Sequence, residues 1–340
     1  MTATSTTHAA YNPPHHQAFE TFKPYDLSGL KTYDLTSRPS KVFHDDLGFP
    51  VTPNTTVDEW LDSLPKQLAA MELRRVSSHL CRAHREGRTA AAALGGHVIK
   101  TGCAPYLIDW IQKGILKAVA LNGSAAIHDF ELAAAGKTSE NVAAQLPGGQ
   151  FGMARETADA FAVAARDGAD SQRGLGWALG RHLDSLDCPH ADTSLVLAAY
   201  HAGIPCTVHV ALGTDIVHMH PHVSGAALGE ASLIDFRRLC SVVATMERGV
   251  WMNLGSAVIM PEVFVKAVSV VNNFGHSLDG LVTVNLDKQA QYRSRVNVIE
   301  RPSAEGIELI GHHEIMLPLL HAAVACQMAR VQPAIPAQAA

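Results

Sequence analysis

The sequence predicts an α/β fold, with a mostly parallel sheet that helices cover on both faces. Short apolar segments alternate with longer helical segments along the chain, as strands and crossover helices do. Of the 340 residues, 47% are apolar and only 17% are charged, which supplies a sizeable core. No repeat or low-complexity linker divides the chain. We therefore expect one large domain over residues 21–330, between flexible tails at 1–20 and 331–340.

The first half of the chain is predicted to begin with a long helix. Thr56 is a suitable N-cap and Gly87 lies just past the end, which predicts one helix over residues 57–85. The apolar run 115–121 (ILKAVAL) predicts a buried strand, and a helix over 125–135 follows it and ends at Gly136. Further helices are predicted over residues 106–113, 155–166, 177–186 and 193–202.

Three more strands are predicted in the second half, over residues 206–212 (CTVHVAL), 250–254 and 281–286. Helices are predicted over residues 230–248, 261–274, which has a proline in its first turn, and 314–330. The segment 174–180 has its last glycine one residue too late for a dinucleotide-binding loop, so it predicts a turn and a helix start. The six cysteines form no C-x-x-C pair and are expected to be buried, reduced thiols.

Charge and hydropathy exclude two kinds of partner. With 27 Lys and Arg against 32 Asp and Glu, the net charge is −5, and the chain has no basic cluster to bind a nucleic-acid backbone. No apolar run approaches the roughly 18–20 residues of a membrane span. The polar residues 1–16 lack a signal-peptide pattern. We expect a cytoplasmic protein without nucleic-acid or membrane partners.

Polar residues follow the predicted strands, where ligands bind to an open parallel sheet. Small residues there allow close approach of backbone N–H groups, and each following helix offers a positive amino terminus, which suits a phosphate-bearing cofactor. The segments concerned are Asn122–Ser124 with His128–Glu131, Asp215–His222, Gly255–Ser256, Asn285–Asp287 and His312–Glu314.

The histidines and carboxylates leave two chemistries open. If residues 218–222 are extended, the alternating His218, His220 and His222 point to one side. With His312 and Glu314 they would suit Zn, Fe or Mn, which gives the alternative of a metal-dependent hydrolase or lyase. A second set of side chains would instead hold a cation such as a polyamine ammonium. This set is Asp129, Glu131, Asp215 and Glu314.

Taken in order, these segments resemble the deoxyhypusine synthase family over residues 90–328. The matching pieces are Gly95–Gly102 (GGHVIKTG), Ala120–Ser124 (ALNGS), Ile204–His220, Asn253–Val258 (NLGSAV), Thr283–Leu286 (TVNL) and His312–Glu314. The resemblance implies a Rossmann-like sheet, NAD as cofactor and a homotetramer with active sites at dimer interfaces. It also implies a transferase that oxidises spermidine and moves its aminobutyl group onto a lysine, or that makes homospermidine.

The resemblance also implies roles for individual residues. His220 would be the base of the amine site, and His128 or Asp129 would stand where an acidic amine ligand is expected. NAD contacts would come from Gly96, His97, Lys100, Asn122, Gly123, Ser124, Asp215, Asn285, Leu286, His312 and His313. Substrate contacts would come from His128, Glu131, His218, Tyr292 and Arg293.

The stretch 287–295 departs from the family pattern. Tyr292 falls near the family's tryptophan and Ser294 near its catalytic lysine, and the acidic glycine-rich loop is missing. A serine cannot form the imine that carries the transferred group. Lys266 and Lys288 are the nearest lysines but lie outside the motif.

Because the resemblance lacks the catalytic lysine, it predicts an enzyme that has diverged in substrate. This enzyme would dehydrogenate an amine with NAD that is recycled rather than consumed. The nearby Arg293 and Arg295 suggest a carboxylate on that substrate. A non-catalytic nucleotide-binding homologue is the remaining alternative.

Overall fold

The computed structural model describes residues 22–302 and 305–331. Contacts divide the chain into two compact units, Met1–Asp45 and Asp46–Ala340. In the described part of the first unit, Asp34 caps a short 3-10 turn, Leu35–Ser37, by accepting the Thr36 N–H at 2.8 Å. Apart from Val331, the predicted tails lie outside the described residues, so their flexibility remains a prediction.

Six parallel strands form the centre of the second unit, which is a single α/β domain of the Rossmann-like type. Their bounds are β1 Ala90–Leu94, β2 Ala118–Asn122, β3 Cys206–His209, β4 Val250–Leu254, β5 Val282–Asp287 and β6 Glu305–Ile310. The order across the sheet is β3-β2-β1-β4-β5-β6. Because this order reverses between β1 and β4, the carboxyl ends of these two strands flank a crevice.

Helices connect the strands. Before β1 lie α1 Val57–Ser63 and α2 Leu68–Arg85, and after it α3 Gly96–Lys100 and α4 Ala104–Gln112. Between β2 and β3 lie α5 Gly123–Ala135, α6 Val142–Gln145, α7 Arg155–Asp170, α8 Leu175–Ser185 and α9 Leu195–His201. Later connections are α10 Gly225–Val243, α11 Ile259–Asn273, and α12 Tyr292–Ser294 continued by a π-helix, Arg295–Glu300. Helix α13, His313–Val331, follows β6.

Both faces of the sheet are covered, as predicted. Alternate residues of β1 point to opposite sides. Ala90, Ala92 and Leu94 join a large core with α2, α4, α5 and α13, whereas Ala91 and Ala93 join a second core with α10 and α11. In that second core Trp251 of β4 stacks on Phe264 of α11 with 4.2 Å between ring centroids. The predicted fold class is therefore confirmed.

The predicted helix over 57–85 is wrong in one respect, because it is two helices. Thr56 caps α1 as expected, and its backbone N–H donates to Glu59 at 2.8 Å in a capping box. Pro65 then forces the preceding Leu64 into an extended conformation. The chain re-enters a helix at Leu68, whose φ of +41° is left-handed.

The strand prediction missed β1 and β6. The run Ala90–Leu94 (AAAAL) lacks the β-branched residues that signal a strand, yet all five residues are buried between β2 and β4. The edge strand β6 shows alternation, with Ile307 and Leu309 buried. The four predicted strands are confirmed: the strand over residues 250–254 has the predicted bounds, and the bounds of the other three are shifted.

The cysteines differ in how deeply they are buried. All six cysteines are free thiols, of which Cys81, Cys103 and Cys206 are buried and the other three are half-buried. None of the helices in the described ranges is both long and apolar enough to cross a bilayer.

Candidate active site

Two glycines, Gly95 and Gly255, lie directly after the carboxyl ends of β1 and β4. Gly95 donates its N–H to the Leu254 carbonyl at 2.9 Å, and Gly255 donates to Leu286 at 3.0 Å. A Cβ on Gly95 would lie 2.1 Å from the Gly255 oxygen, so only glycine fits there. Gly255 itself has a φ of +62°. The two glycines thus let β1 pack closely against the loop after β4. We call the crevice that these strand ends flank, where the strand order reverses, the groove.

A buried histidine borders this groove. His313 is 1% exposed, and its Nε2 bonds to the Leu286 carbonyl at 3.3 Å. Burial lowers the pKa of His313, so the ring is neutral, its Nε2–H donates, and Nδ1 is left as an acceptor. Among the described residues this buried Nδ1 has no hydrogen-bond partner. His97 of α3 packs edge-on against the His313 ring at 5.3 Å.

A buried amide network lies in β4 and β5. Asn253 donates through Nδ2 to Asn285 Oδ1 at 2.8 Å and to the Ser256 carbonyl at 2.9 Å. Ser294 Oγ donates to the same Ser256 carbonyl at 3.1 Å. Asn253, Asn285 and Ser294 are all fully buried. Ser294, at the position of the family's lysine, therefore acts on the loop after β4 rather than on a solvent-accessible cleft.

The amino terminus of α5 carries a carboxylate. Asn122 caps this helix by accepting the Ala125 N–H at 2.8 Å. A Cβ on the next residue, Gly123, would lie 2.0 Å from Oδ2 of Asp215. Burial raises the pKa of Asp215, and the nearby His218 and His128 oppose that rise. Asp215 thus lies against Gly123, the first residue of α5. Both residues are predicted NAD contacts.

Beside Asp215 opens a cleft of about 230 Å³, the α5 cleft. Its lining is Lys100, Ser124, Ile127, His128, Glu131, Ser139, Glu140, Val142, Phe151, Thr214, Asp215 and Ile216. Five of these were predicted as site residues: Lys100, Ser124, His128, Glu131 and Asp215. The lining combines three carboxylates and one lysine with hydroxyl groups, an imidazole and four apolar side chains, Ile127, Val142, Phe151 and Ile216. This combination suits a cation on an aliphatic chain.

A hydrogen-bonded chain fixes the orientation of His128. Thr138 donates its hydroxyl proton to Glu131 Oε2, so its oxygen accepts from His128 Nδ1 at 2.6 Å. Thr157 donates to the other oxygen of Glu131 at 3.1 Å. Burial raises the pKa of Glu131, but the bonds from His128, Thr138 and Thr157 outweigh it and hold the pKa below its usual value. With a proton on Nδ1, this tautomer of His128 leaves Nε2 as an acceptor.

Helix α3 joins the groove to the α5 cleft. A Cβ on Gly96 would lie 2.3 Å from Ser124 Oγ and 3.0 Å from His128 Cδ2, so α3 meets α5 without space between them. One residue on, His97 contacts His313 at the groove. Lys100, at the end of the same helix, lines the α5 cleft. One short helix therefore contributes to both parts of the site.

Two residues predicted as catalytic are engaged elsewhere. His220 donates through Nε2 to the Gly152 carbonyl at 2.9 Å. It is absent from the lining of the α5 cleft. Asp129 is fully buried and accepts from Leu195 N at 2.7 Å and from Ser194 Oγ, at the start of α9. Both side chains hold the fold around the site together.

The arginines of the π-helix region do not form the expected carboxylate clamp. Arg293 pairs with Glu262 of α11, and Arg295 pairs with Glu300 at 2.9 Å. Tyr292 is 76% exposed. His312 is also exposed and lies 3.7 Å from Glu314. These four positions show no connection to the groove or the α5 cleft.

The predicted metal cluster is not assembled. Residues 216–219 form a 3-10 turn rather than an extended segment, so His218, His220 and His222 do not point to one side. His218 Nδ1 accepts from Asp215 N and Gly213 N, both at 3.1 Å. His222 pairs with Asp159 at 2.8 Å. Within residues 22–302 and 305–331, no three His, Cys, Asp or Glu side chains could hold a metal ion together.

Several residues of the α5 cleft were missed in the sequence. Ser139 and Glu140 belong to the connection after α5, and Phe151 to the one before α7. Thr138, in the first of these connections, is bonded to the cleft residues His128 and Glu131. Glu140 accepts the Gly152 N–H at 3.0 Å, which holds these two connections together. These residues reach α5 because the two connections fold back over it, and no local sequence pattern indicates that contact.

Comparisons with known proteins support the fold. No protein-family model and no curated protein matches the sequence. Among solved structures, the chain is similar to the ternary complex of AgrE with ornithine and NAD+, at 13% identity and a TM-score of 0.51. That match covers 76% of this chain and 33% of AgrE, so the chain spans about a third of the AgrE length.

A second similar structure is a "putative deoxyhypusine synthase from Entamoeba histolytica", at 12% identity and a TM-score of 0.50. The match covers 82% of this chain and 96% of the other. At these identities the similarity concerns the fold. These similarities support the fold that the resemblance implied. No sequence-family match supports the resemblance itself.

Proposed function

We propose that this protein is an NAD-dependent enzyme that dehydrogenates an aliphatic amine, as deoxyhypusine-synthase-like proteins do. The observation that carries the proposal is the α5 cleft, where Glu131, Glu140 and Asp215 line one cavity together with an apolar wall of Ile127, Val142, Phe151 and Ile216. The carboxylates suit an ammonium group, and the wall suits the carbon chain attached to it.

The groove has features that fit a dinucleotide. It lies at the reversal of the strand order, and the buried Nδ1 of His313 lacks a partner among the described residues. Asp215 would accept from the ribose hydroxyls of the cofactor. Lys100 would balance phosphate charge. When bound there, NAD+ supplies the acceptor for a hydride.

The residues of the α5 cleft would then handle the amine. Glu131 and Asp215 attract the protonated amine, and His128 Nε2 takes a proton from its nitrogen. Loss of a hydride from the adjacent carbon and of a second proton from nitrogen leaves an imine. Thr138 and Glu131 hold His128 in the tautomer that can accept a proton. His128 replaces His220 as our proposed base.

Transfer of an aminobutyl group and assembly into a homotetramer with sites at dimer interfaces remain proposals that rest on the resemblance. Lys266 pairs with Glu262 on α11, away from the cleft lining. The lysine that does line the cleft is Lys100. If an imine is carried on the enzyme, we propose Lys100 as its carrier; native mass spectrometry with spermidine would detect the adduct and report the oligomer.

The test is a turnover assay. We would incubate the purified protein with NAD+ and a series of diamines, spermidine and amino acids, and record NADH absorbance. We expect turnover with aliphatic amines and at least a hundredfold loss in Glu131→Gln. The matched control is Glu156→Gln, an exposed glutamate at the start of α7 that pairs with Arg155. Absence of NADH with every amine, or equal rates in both variants, would refute the proposal.

A further inference from the structure

The opposite edge of the sheet carries a second pocket that the proposed reaction does not use. In a parallel sheet the residues that precede the strands gather at one edge, and Thr89, Lys117 and Pro205 directly precede β1, β2 and β3. These residues and the last turns of α10 enclose a pocket of about 560 Å³, the amino-edge pocket. Helix α10 and the residues after it contribute Ile234, Arg237, Arg238, Ser241, Val242 and Thr245.

The spacing on α10 explains why these side chains share the pocket. Positions 234, 237, 238, 241, 242 and 245 follow the i, i+3, i+4 pattern of one helix face. Ile234 and Val242 are buried and anchor that face. Arg237, Ser241 and Thr245 are exposed on it. The core contact of α10 therefore fixes the position of its two arginines.

The positive charge of the amino-edge pocket is not neutralised. Its lining contains Lys117, Arg237 and Arg238 and no carboxylate. Within the described residues, Arg237 and Arg238 form no ion pair or hydrogen bond through their side chains, and Nε of Arg238 is buried without a partner. The acidic group that interacts electrostatically with Arg238 is the buried Asp235. Lys117 donates to the Gly87 carbonyl at 2.6 Å, which leaves its charge unpaired. The pocket thus gathers three cationic side chains in a chain whose net charge is −5.

A neighbouring pocket extends this positive surface. It shares Pro205 and Arg238 with the amino-edge pocket and adds Arg173, whose guanidinium lies 4.7 Å from the centre of the Trp177 ring. Arg173 has no carboxylate partner among the described residues. Guanidinium and ammonium groups with hydroxyls beside them are the donors that bind phosphate oxygens. The combined surface is large enough for more than one phosphate group.

We propose that the amino-edge pocket binds a small anion with two linked phosphate groups, either inorganic or carried by a nucleoside diphosphate. The ligand would bind between the side chains of Lys117, Arg237 and Arg238. This site lies at the opposite edge of the sheet from the α5 cleft and does not depend on the proposed amine reaction.

Isothermal titration of the full chain with inorganic pyrophosphate, in a low-salt buffer free of phosphate, tests the proposal. We expect saturable binding to one site per chain, weakened at least tenfold in Arg237→Gln. Because Arg237 is exposed and unpaired, its loss leaves the core intact; Arg238→Lys keeps the charge and should weaken binding less. The charge-matched control, Arg155→Gln, removes an arginine outside the pocket and should not change the affinity.

A second titration with ADP identifies the source of the phosphates. Tighter binding of ADP than of pyrophosphate indicates a nucleotide, and equal affinity indicates a bare phosphate chain. NAD+ affinity should be the same in Arg237→Gln and the wild type, so that failure here is distinct from failure of the NAD proposal. No saturable binding of either probe, or equal weakening in Arg237→Gln and Arg155→Gln, would overturn the inference.

Discussion

Asp215 lies so close to Gly123 that no side chain fits between them. A Cβ on Gly123 would be 2.0 Å from Asp215 Oδ2. Because Gly123 is the first residue of α5, the carboxylate stands at the positive end of this helix. The glycine thus sets the position of the acidic group that we propose to contact both cofactor and amine.

Gly123→Ala should displace Asp215 while leaving the fold intact. The clash involves the end of a side chain, which can rotate away, and alanine is favoured over glycine in a helix by about 1 kcal/mol. We expect the KM for the amine to rise about tenfold, with little change in melting temperature. The matched control is Gly229→Ala in α10, where a Cβ meets nothing within 4 Å. Unchanged kinetics in Gly123→Ala would contradict the role of Asp215.

Gly95→Ala should behave differently, because its clash is with backbone. The added Cβ would lie 2.1 Å from the Gly255 carbonyl oxygen, so β1 and the loop after β4 would have to move apart. Such overpacking costs about 1–3 kcal/mol. Urea unfolding should show that loss, together with weaker NAD+ binding. Gly225→Ala, which meets open space, serves as the control. A variant as stable as the wild type would contradict the close packing of Gly95 against Gly255.

Thr138→Val tests the orientation of His128. Valine keeps the shape of threonine but removes the hydroxyl that links His128 to Glu131. We expect kcat to fall roughly tenfold to a hundredfold with a small change in KM, and the acid limb of the pH–rate profile to shift. Thr138→Ser restores the hydroxyl and should recover most of the rate. Equal rates in Thr138→Val and Thr138→Ser would show that the link does not matter.

Asp129 should make stability depend on pH. Burial raises the pKa of Asp129 to about 6 from its ordinary 3.8, although bonds from Ser194, Leu195 and Val196 oppose the rise. Between these values the folded protein holds a proton that the unfolded chain has released. The free energy of unfolding therefore falls as the pH rises from about 4 to about 6, by roughly 3 kcal/mol from this group.

Asp129→Asn removes this titration, so its urea unfolding curve should change less over that pH range than the wild-type curve. Asp192→Asn, at an exposed aspartate in the 3-10 turn before α9, is the control and should retain the wild-type pH dependence. If Asp129→Asn and the wild type show the same dependence, the carboxyl group does not titrate as its burial implies.

The sequence predicted the fold class but not the centre of the sheet. Strand β1 is a run of alanines, which favour helices, and it forms a strand because β2 and β4 pair with it on both sides. Small side chains there allow α10 and α11 to pack close to the sheet. This preference arises from tertiary packing and has no local signal. The break at Pro65, by contrast, was readable from the proline itself.

The site was predictable where it follows strands. Ser124 and Asp215 come after β2 and β3, and parallel strands end at one edge, so the sequence placed them together correctly. The link through Thr138 was not predictable, because it depends on the path of the connection after α5. His220 was assigned from the resemblance alone, and in the structure its Nε2 is taken up by the Gly152 carbonyl.

The most direct test of the central claim follows a labelled hydride. The protein is incubated with NAD+ and a diamine that carries deuterium on the carbons next to nitrogen, and the reduced nicotinamide is analysed by mass spectrometry. We predict reduced cofactor with one deuterium per turnover in the wild type, and its loss in His128→Gln. Reduced cofactor without deuterium, or undiminished labelling in His128→Gln, would contradict amine oxidation in the α5 cleft.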